Sequence, residues 1–127
     1  MRTYVRVGGK PGVYFFSLDA GNQLAVTVAR TMFHLPYYAA TMRVDVKGTE
    51  VHYESARDEE PAAEFAGRYR PEGVVFTAQP GTLDYFLTER YCLYTVDDSF
   101  HLHRLEIHHL PWLLQRASAE IEINTMA

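Results

Sequence analysis

The stretch RTYVRVGGKPGVYFFSL, residues 2–18, contains two strand patterns separated by a turn. In residues 2–7, threonine and valine alternate with arginine and tyrosine, which is the period of a strand with two unlike faces. Residues 13–18 form an apolar run rich in aromatic side chains, typical of a buried strand. The glycines and proline of residues 8–12 predict a turn between them. We therefore expect an antiparallel hairpin here, closed by a loop longer than a tight two-residue turn.

The rest of the chain predicts two helices among further strands. Apolar residues fall at helical spacing in residues 23–35, which follow capping residues at 19–22 and precede Pro36. A short second helix is expected after Thr82, a plausible N-cap. Further strands are predicted at residues 37–46, 50–57, 65–70, 74–77, 92–95, 100–107 and 119–123. This order predicts an α+β fold, in which a curved antiparallel sheet forms a partial barrel with about two helices.

Composition narrows the class of protein. The chain has 127 residues, a formal net charge of −4 and one cysteine, Cys92. Its length fits a single domain, residues 1–127, and one cysteine excludes an internal disulfide framework and a multi-cysteine zinc site. Because the chain lacks a net basic balance and a long uncharged stretch, we expect no nucleic-acid binding and no membrane span. The lack of a secretory signal pattern predicts a cytoplasmic protein.

Short segments along nearly the whole chain match one known family in the same order. They are residues 2–5, 12–20, 29–30, 35–38, 81–83, 86–91, 93–94, 108–109 and 111–112, with Ala40, Met42, Tyr53, Ser55, Arg57 and Leu114. On these segments the chain resembles the YqjF-like family of uncharacterised bacterial proteins, a domain of unknown function. The resemblance implies an acetoacetate decarboxylase-like fold, with a curved antiparallel sheet around an internal cavity. It implies no established activity.

The chain departs from this family pattern in two ways. Family members carry a further segment before the strand at residues 2–5, so we expect a shortened member or a fragment. A sheet that lacks strands leaves an exposed edge, which favours pairing with a second copy in a homo-oligomer. Acetoacetate decarboxylase uses a lysine Schiff base, but the only lysines here, Lys10 and Lys47, lie in predicted turns. We therefore expect no Schiff-base chemistry.

Arg30 is the first candidate for ligand binding. It lies in an apolar helical stretch, and a guanidinium group there favours an anionic partner such as a carboxylate. The functional interpretation is an anchor for an acidic ligand in the cavity. The alternatives are a structural ion pair with Glu89, Asp19 or another acid, and a position that simply faces solvent.

Tyrosines and a second arginine complete the candidate ligand site. Tyr14, Tyr38 and Tyr53 lie on predicted strands or strand ends, and tyrosine combines an apolar ring with a polar tip, which suits a pocket wall. Arg57 closes the strand that contains Tyr53 and is the remaining candidate ligand-binding residue. Packing in the core or at its rim is the alternative role for the tyrosines.

Glu89 and His109 are the candidate catalytic residues. A glutamate beside an apolar helix face can act as a general acid or base when burial raises its pKa. Histidine titrates near neutral pH and can donate a proton. The alternatives are an ion pair of Glu89 with Arg57 or Arg30, and a hydrogen-bonded bend at His109.

No metal or cofactor is expected. His101 and His103 share one strand face, but Glu106 falls on the opposite face, so the set does not fit a cupin-type metal site. The glycine cluster at residues 8–12 has neither P-loop nor dinucleotide-binding spacing. Three functions remain open: binding of a small, partly apolar acidic molecule, acid/base catalysis on a small acid or carbonyl compound, and a structural or assembly module without a ligand.

Overall fold

Nine strands and two helices follow one another along the chain in the computed structural model, which describes residues 1–126. The strands are β1 (Arg2–Val7), β2 (Lys10–Phe15), β3 (Leu18–Ala20), β4 (Tyr37–Lys47), β5 (Glu50–Arg57), β6 (Glu64–Thr77), β7 (Cys92–Val96), β8 (Leu102–Glu106) and β9 (Leu113–Asn124). The helices are α1 (Gln23–Phe33) and α2 (Leu83–Thr88), capped at their N-termini by the side chains of Asn22 and Thr82. The predicted α+β class with two helices is confirmed.

The strands form two sheets rather than the single curved sheet expected. Within residues 1–126, one sheet has the order β1-β2-β7-β8 and the other the order β3-β4-β5-β6-β9, and they do not close into a barrel. Most pairs are antiparallel, but β2 pairs with β7 and β3 with β4 in parallel. The parallel β3–β4 pair follows from α1, because a helical crossover returns the chain in the same direction.

The first hairpin is tighter than predicted. Val7 pairs directly with Lys10, so only Gly8 and Gly9 lie in the turn, and the expectation of a longer loop was wrong. Both glycines have positive φ angles, 56° and 83°. Such angles let a two-residue turn follow the twist of the strands, and glycine adopts them without steric cost. Lys10, Pro11 and Gly12 therefore belong to β2.

The second sheet is built around one long strand pair. The prediction of two strands broken at residues 71–73 was wrong, since β6 continues through Pro71 and Gly73 with an irregular register between Glu72 and Phe76. Its partner β9 begins six residues before the predicted start at residue 119. Each strand can be long because it pairs with the other, which supplies hydrogen-bond partners that no local pattern reveals.

The core is small and mostly made by the first sheet, α1 and the start of β4. Its buried apolar residues are Val13, Val26, Ala29, Ala40, Ala63, Cys92, Leu93 and Tyr94. Large apolar side chains on β9, such as Ile121 and Ile123, are exposed. The homo-oligomer stays a prediction. Neither helix among residues 1–126 has the length and apolar character needed to cross a membrane.

Candidate functional site

A buried ion pair joins the end of β5 to β3. Arg57 Nε donates to Asp19 Oδ1 at 2.8 Å, and the two side chains are only 5% and 4% exposed. The guanidinium group lies 4.1 Å from the ring centroid of Tyr38. Strand pairing brings the three together, because Asp19 is opposite Tyr38 in the β3–β4 pair and β4 pairs in turn with β5. Charge, burial and an aromatic face are thus combined at one place.

A cavity of about 470 Å³ lies beside this ion pair and is called the Asp19 cavity below. Its lining residues are Met1, Ser17, Leu18, Asp19, Tyr53, Ser55, Phe65, Asn124 and Met126. Tyr53, Ser55 and Arg57 alternate along β5 and so lie on one face of the sheet. Phe65 lies opposite Ser55 in the β5–β6 pair. The volume is in the usual range for small-molecule sites.

Polar atoms at this cavity are buried without protein partners. Asp19 Oδ2 and Ser55 Oγ, both from lining residues, have no hydrogen-bond partner among residues 1–126, and neither has Arg57 Nη2 behind them. Leaving a buried polar group unpaired costs about 1–3 kcal/mol, so native proteins rarely leave such groups without a partner. Two lining residues of the cavity thus hold a polar atom whose hydrogen-bonding capacity the described protein does not use.

Arg30 lies outside the cavity wall, on the surface of α1. Its Nη2 binds Glu59 Oε1 at 2.5 Å, its Nε donates to the carbonyl oxygen of Tyr37, and its side chain is 41% exposed. The amide of Ala39 also donates to Glu59. The arginine thus joins α1 to β4 through an acid that none of the sequence patterns indicated. Its predicted role as a ligand anchor stays a prediction.

Replacing Arg30 by glutamine should raise the pKa of Glu59 toward its ordinary value of 4.5. The hydrogen bond from Arg30, with that from the Ala39 amide, lowers the pKa of this carboxyl in the folded protein. A lowered folded-state pKa stabilises the protein above the unfolded pKa, and that contribution is lost as pH falls through the folded pKa. We expect the Tm of the variant to be lower at pH 7, by an amount that shrinks as the pH falls below 4.5.

The Glu59 pKa can be followed by NMR titration of its carboxyl carbon in both proteins. Arg43→Gln, in an exposed ion pair with Asp45 on β4, is the matched control and should leave the pKa of Glu59 unchanged. An unchanged Glu59 titration in Arg30→Gln would show that the pair does not form in solution.

Tyr14 and Tyr38 also lie outside the cavity lining. Tyr14, on β2, packs edge-to-face against Phe16 with ring centroids 5.4 Å apart. The guanidinium groups of Arg57 and Arg30 both lie near the Tyr38 ring, 4.1 Å and 5.4 Å from its centroid. Of the predicted ligand residues, Tyr53 lines the cavity, Arg30, Arg57 and Tyr38 meet at the Tyr38 ring, and Tyr14 lies in the other sheet.

Glu89 and His109 meet through a third residue. The Tyr91 hydroxyl donates to Glu89, which is buried, and this hydrogen bond raises the pKa of Tyr91. His109 stacks on the Tyr91 ring with centroids 4.6 Å apart, and Trp112 also packs against His109, with centroids 5.4 Å apart. None of these four lines the Asp19 cavity. Catalytic roles for Glu89 and His109 stay predictions.

His103 of β8 and His101, which precedes the strand, are held by an acid in the turn before β8. Asp97 accepts hydrogen bonds from the His103 ring and from the amides of His101 and Ser99. The His103 hydrogen bond, with these amides, holds the pKa of Asp97 well below its ordinary range. No group of three or more His, Cys, Asp or Glu side chains within residues 1–126 is placed to hold a metal ion.

Sequence reasoning missed Asp19 and Ser55 as lining residues of the cavity. Ser55 had a usable signal, because it lies between Tyr53 and Arg57 at the spacing of a strand face. Asp19 had none, since its contact with Arg57 joins positions 38 residues apart.

Comparison with known proteins gives a family but no activity. The family model DUF2071, described as an uncharacterized conserved protein, matches residues 1–127. The uncharacterized protein YqjF of Bacillus subtilis (strain 168) is 52% identical over 126 residues, which are 99% of this chain and 52% of that protein. The chain therefore spans about half the length of this curated relative. No solved structure matches the chain significantly.

Proposed function

Since the chain belongs to the DUF2071 family of uncharacterised conserved proteins, we propose its function from its own geometry: it binds a small, mainly apolar molecule in the Asp19 cavity. The observation that carries this proposal is the pair of buried, unpartnered polar atoms in the cavity wall, Asp19 Oδ2 and Ser55 Oγ. A ligand bound beside Asp19 and Ser55 stabilises the protein if these side chains rotate to hydrogen-bond with it, because burying the two atoms unpaired is unfavourable.

The apolar residues that line the Asp19 cavity determine which apolar group of a ligand fits there. Leu18, Tyr53 and Phe65 give an apolar surface, and the rings of Tyr53 and Phe65 lie 5.8 Å apart. Burying a ring or a short chain against this surface contributes roughly 25 cal/mol per Å² of apolar area removed from water. The ligand body is therefore a single ring or a short branched chain.

The polar end of the ligand is a hydrogen-bond donor. Sequence reasoning indicated an acidic ligand held by arginine, but the charge of Arg57 is already matched by Asp19 at 2.8 Å. The free oxygen of Asp19 can accept a hydrogen bond, which an ionised carboxylate cannot donate. A hydroxyl, amide or amine end therefore fits the site better than an acid, and this replaces the acidic ligand in our proposal.

The acetoacetate decarboxylase-like fold is part of the same proposal, without the lysine chemistry of that enzyme. It is supported by a mainly antiparallel sheet, β4 to β6 with β9, that carries a cavity on one face. The lysines are elsewhere: Lys10 pairs with Glu106 and Lys47 lies exposed at the end of β4. Neither lysine lines the Asp19 cavity.

Benzyl alcohol is a suitable probe, with benzoate as its charged counterpart. We expect benzyl alcohol to shift the backbone amide NMR signals of Tyr53, Ser55 and Phe65, and benzoate to shift them little. Ser55→Val removes the hydroxyl and fills part of the cavity, and should weaken benzyl alcohol binding by about tenfold. The matched control is Ser118→Val on the exposed surface of β9.

Two results would contradict the proposal. One is the absence of any shift at these residues at millimolar benzyl alcohol, and the other is equal binding by Ser55→Val and Ser118→Val. Tighter binding of benzoate than of benzyl alcohol would retain the cavity but overturn the donor end assigned to its ligand.

A further inference from the structure

A second groove lies on the other sheet, between β1, β2 and the end of α2. It has a volume of about 240 Å³ and is called the Tyr4 groove below. Its lining residues are Tyr4, Val5, Arg6, Pro11, Phe86 and Arg90. The aromatic rings of Tyr4 on β1 and Phe86 on α2 lie 4.9 Å apart and form one apolar wall, and the lining also includes Arg6 and Arg90.

Three arginines surround this wall. Arg2, Tyr4 and Arg6 alternate along β1 and therefore lie on one face of the strand. The Arg2 guanidinium lies 5.5 Å from the Tyr4 ring centroid. That of Arg90 lies 5.5 Å from the Tyr4 ring and 4.3 Å from the Phe86 ring. Guanidinium groups over ring faces are held in place while their N–H edges stay available to an anion.

These three arginines differ from all the others in the chain. The sequence has ten arginines, and seven of them form an ion pair with a carboxylate within 4 Å: Arg30, Arg43, Arg57, Arg68, Arg70, Arg104 and Arg116. Among residues 1–126, no carboxylate lies within that distance of Arg2, Arg6 or Arg90. The three arginines without a carboxylate partner are thus gathered around one groove of a protein whose net charge is negative.

Arg90 also has one N–H group without a hydrogen-bond acceptor in the described part of the chain. Its Nη1 donates to the carbonyl oxygen of Glu89 at 3.0 Å, but its Nε is buried without a partner in the described part of the chain. Arg2 donates to the Tyr4 hydroxyl and to the Leu87 carbonyl oxygen. An anion in the groove would compensate the positive charge of these arginines through the guanidinium N–H groups that remain accessible.

We propose that the Tyr4 groove binds an anion carried on an aromatic ring, a phosphate monoester or a carboxylate. The anionic group meets Arg6 and Arg90, and the ring packs on Phe86, whose surface is 47% exposed. A phosphate monoester carries nearly two charges at neutral pH and offers three acceptor oxygens, so it binds more tightly than a carboxylate on the same ring. This site is separate from the Asp19 cavity and does not depend on the function proposed for it.

Phenyl phosphate is the probe. Inorganic phosphate tests the anionic group without the ring, and benzyl alcohol tests an uncharged molecule with an aromatic ring. We expect phenyl phosphate to shift the amide NMR signals of residues 4–6, Phe86 and Arg90, and its affinity to fall as salt is raised. Inorganic phosphate should bind the same residues more weakly, and benzyl alcohol should leave them unshifted. Any shifts from benzyl alcohol at Tyr53 and Ser55 report on the other site alone.

The variant Arg6→Gln tests the charge without disturbing the core, since Arg6 is exposed. We expect it to weaken phenyl phosphate binding by about three- to tenfold, the loss of one charge-assisted contact at a solvent-accessible site. The matched control Arg43→Gln removes another exposed arginine, from β4, and should bind as the unmodified chain does. Arg90→Lys keeps the charge but loses the planar fork, and should bind more weakly as well.

Three outcomes would overturn the inference. The first is no shift at the groove at millimolar phenyl phosphate. The second is equal affinity in Arg6→Gln and Arg43→Gln, which would show that the arginines do not hold the anion. The third is equal affinity for phenyl phosphate and inorganic phosphate, which would remove the aromatic part of the ligand.

Discussion

Replacing Arg57 by methionine should lower the free energy of unfolding by about 3–5 kcal/mol, the usual cost of leaving one member of a buried ion pair without its partner. The buried Asp19 carboxylate would keep its charge. Its Oδ1 would lose the hydrogen bond from Arg57, and its Oδ2 already has no partner among residues 1–126. Stacking on Tyr38 would also be lost. Since small domains are stable by only about 5–15 kcal/mol, this loss is a large fraction of the total.

The double variant Arg57→Met, Asp19→Ala separates the charge from the packing. Removing both ions leaves no uncompensated charge, so we expect the double variant to be more stable than Arg57→Met alone. Urea unfolding at pH 7 measures both. Arg43→Met breaks the exposed pair with Asp45 and should cost no more than about 1 kcal/mol. A loss in Arg57→Met as small as that in Arg43→Met would show that the Arg57–Asp19 pair is hydrated.

Replacing Gly12 by alanine should destabilise the protein by about 1–3 kcal/mol, because the added methyl group overpacks the space between β2 and β7. The new Cβ would lie 2.7 Å from Cε2 of Tyr94 and 2.8 Å from the carbonyl oxygen of Cys92. The strand backbone moves little, and the Tyr94 hydroxyl is tied to the carbonyl oxygen of Lys10 at 3.1 Å. Relief therefore requires a shift in the pairing of β2 with β7.

Gly21→Ala is the matched control for this change. Its nearest neighbour would be the carbonyl oxygen of Ala40 at 3.6 Å, an ordinary contact, and its φ angle is not in the left-handed region. We expect its stability to be unchanged or slightly higher, because alanine restricts the unfolded chain. Thermal or urea unfolding of both variants decides the point. If Gly12→Ala is as stable as Gly21→Ala, the close approach of Tyr94 to β2 is absent in solution.

Local patterns predicted the secondary structure well where each residue's partner is near in sequence. The strands Arg2–Val7 and Glu50–Arg57 have their predicted bounds, and the helix that begins at Gln23 follows the Asn22 cap. Strand alternation, helical spacing and capping are properties of a few neighbouring residues, so the sequence displays them directly. The same patterns could not show that β6 continues through Pro71, because its continuity depends on β9.

The candidate sites were predicted only in part for the same reason. Tyr53 and Arg57 were singled out by their side chains, and they do lie on one face of β5. Arg30 was also singled out, yet its partner is Glu59, 29 positions away in the loop between β5 and β6. Residue type indicated which side chains could bind a ligand or transfer a proton, but it could not indicate which of them line the same cavity.

The amino-acid sequence was enough to predict an α+β fold with two helices and a buried cysteine. It also showed that most basic residues are arginines. Only the tertiary structure decided that these strands form two sheets, that Asp19 neutralises Arg57, and that Arg2, Arg6 and Arg90 are left together without carboxylates. The reason is physical. Propensity and periodicity act over a few residues, whereas ion pairing and burial are set by contacts between residues tens of positions apart, which exist only once the sheets have formed.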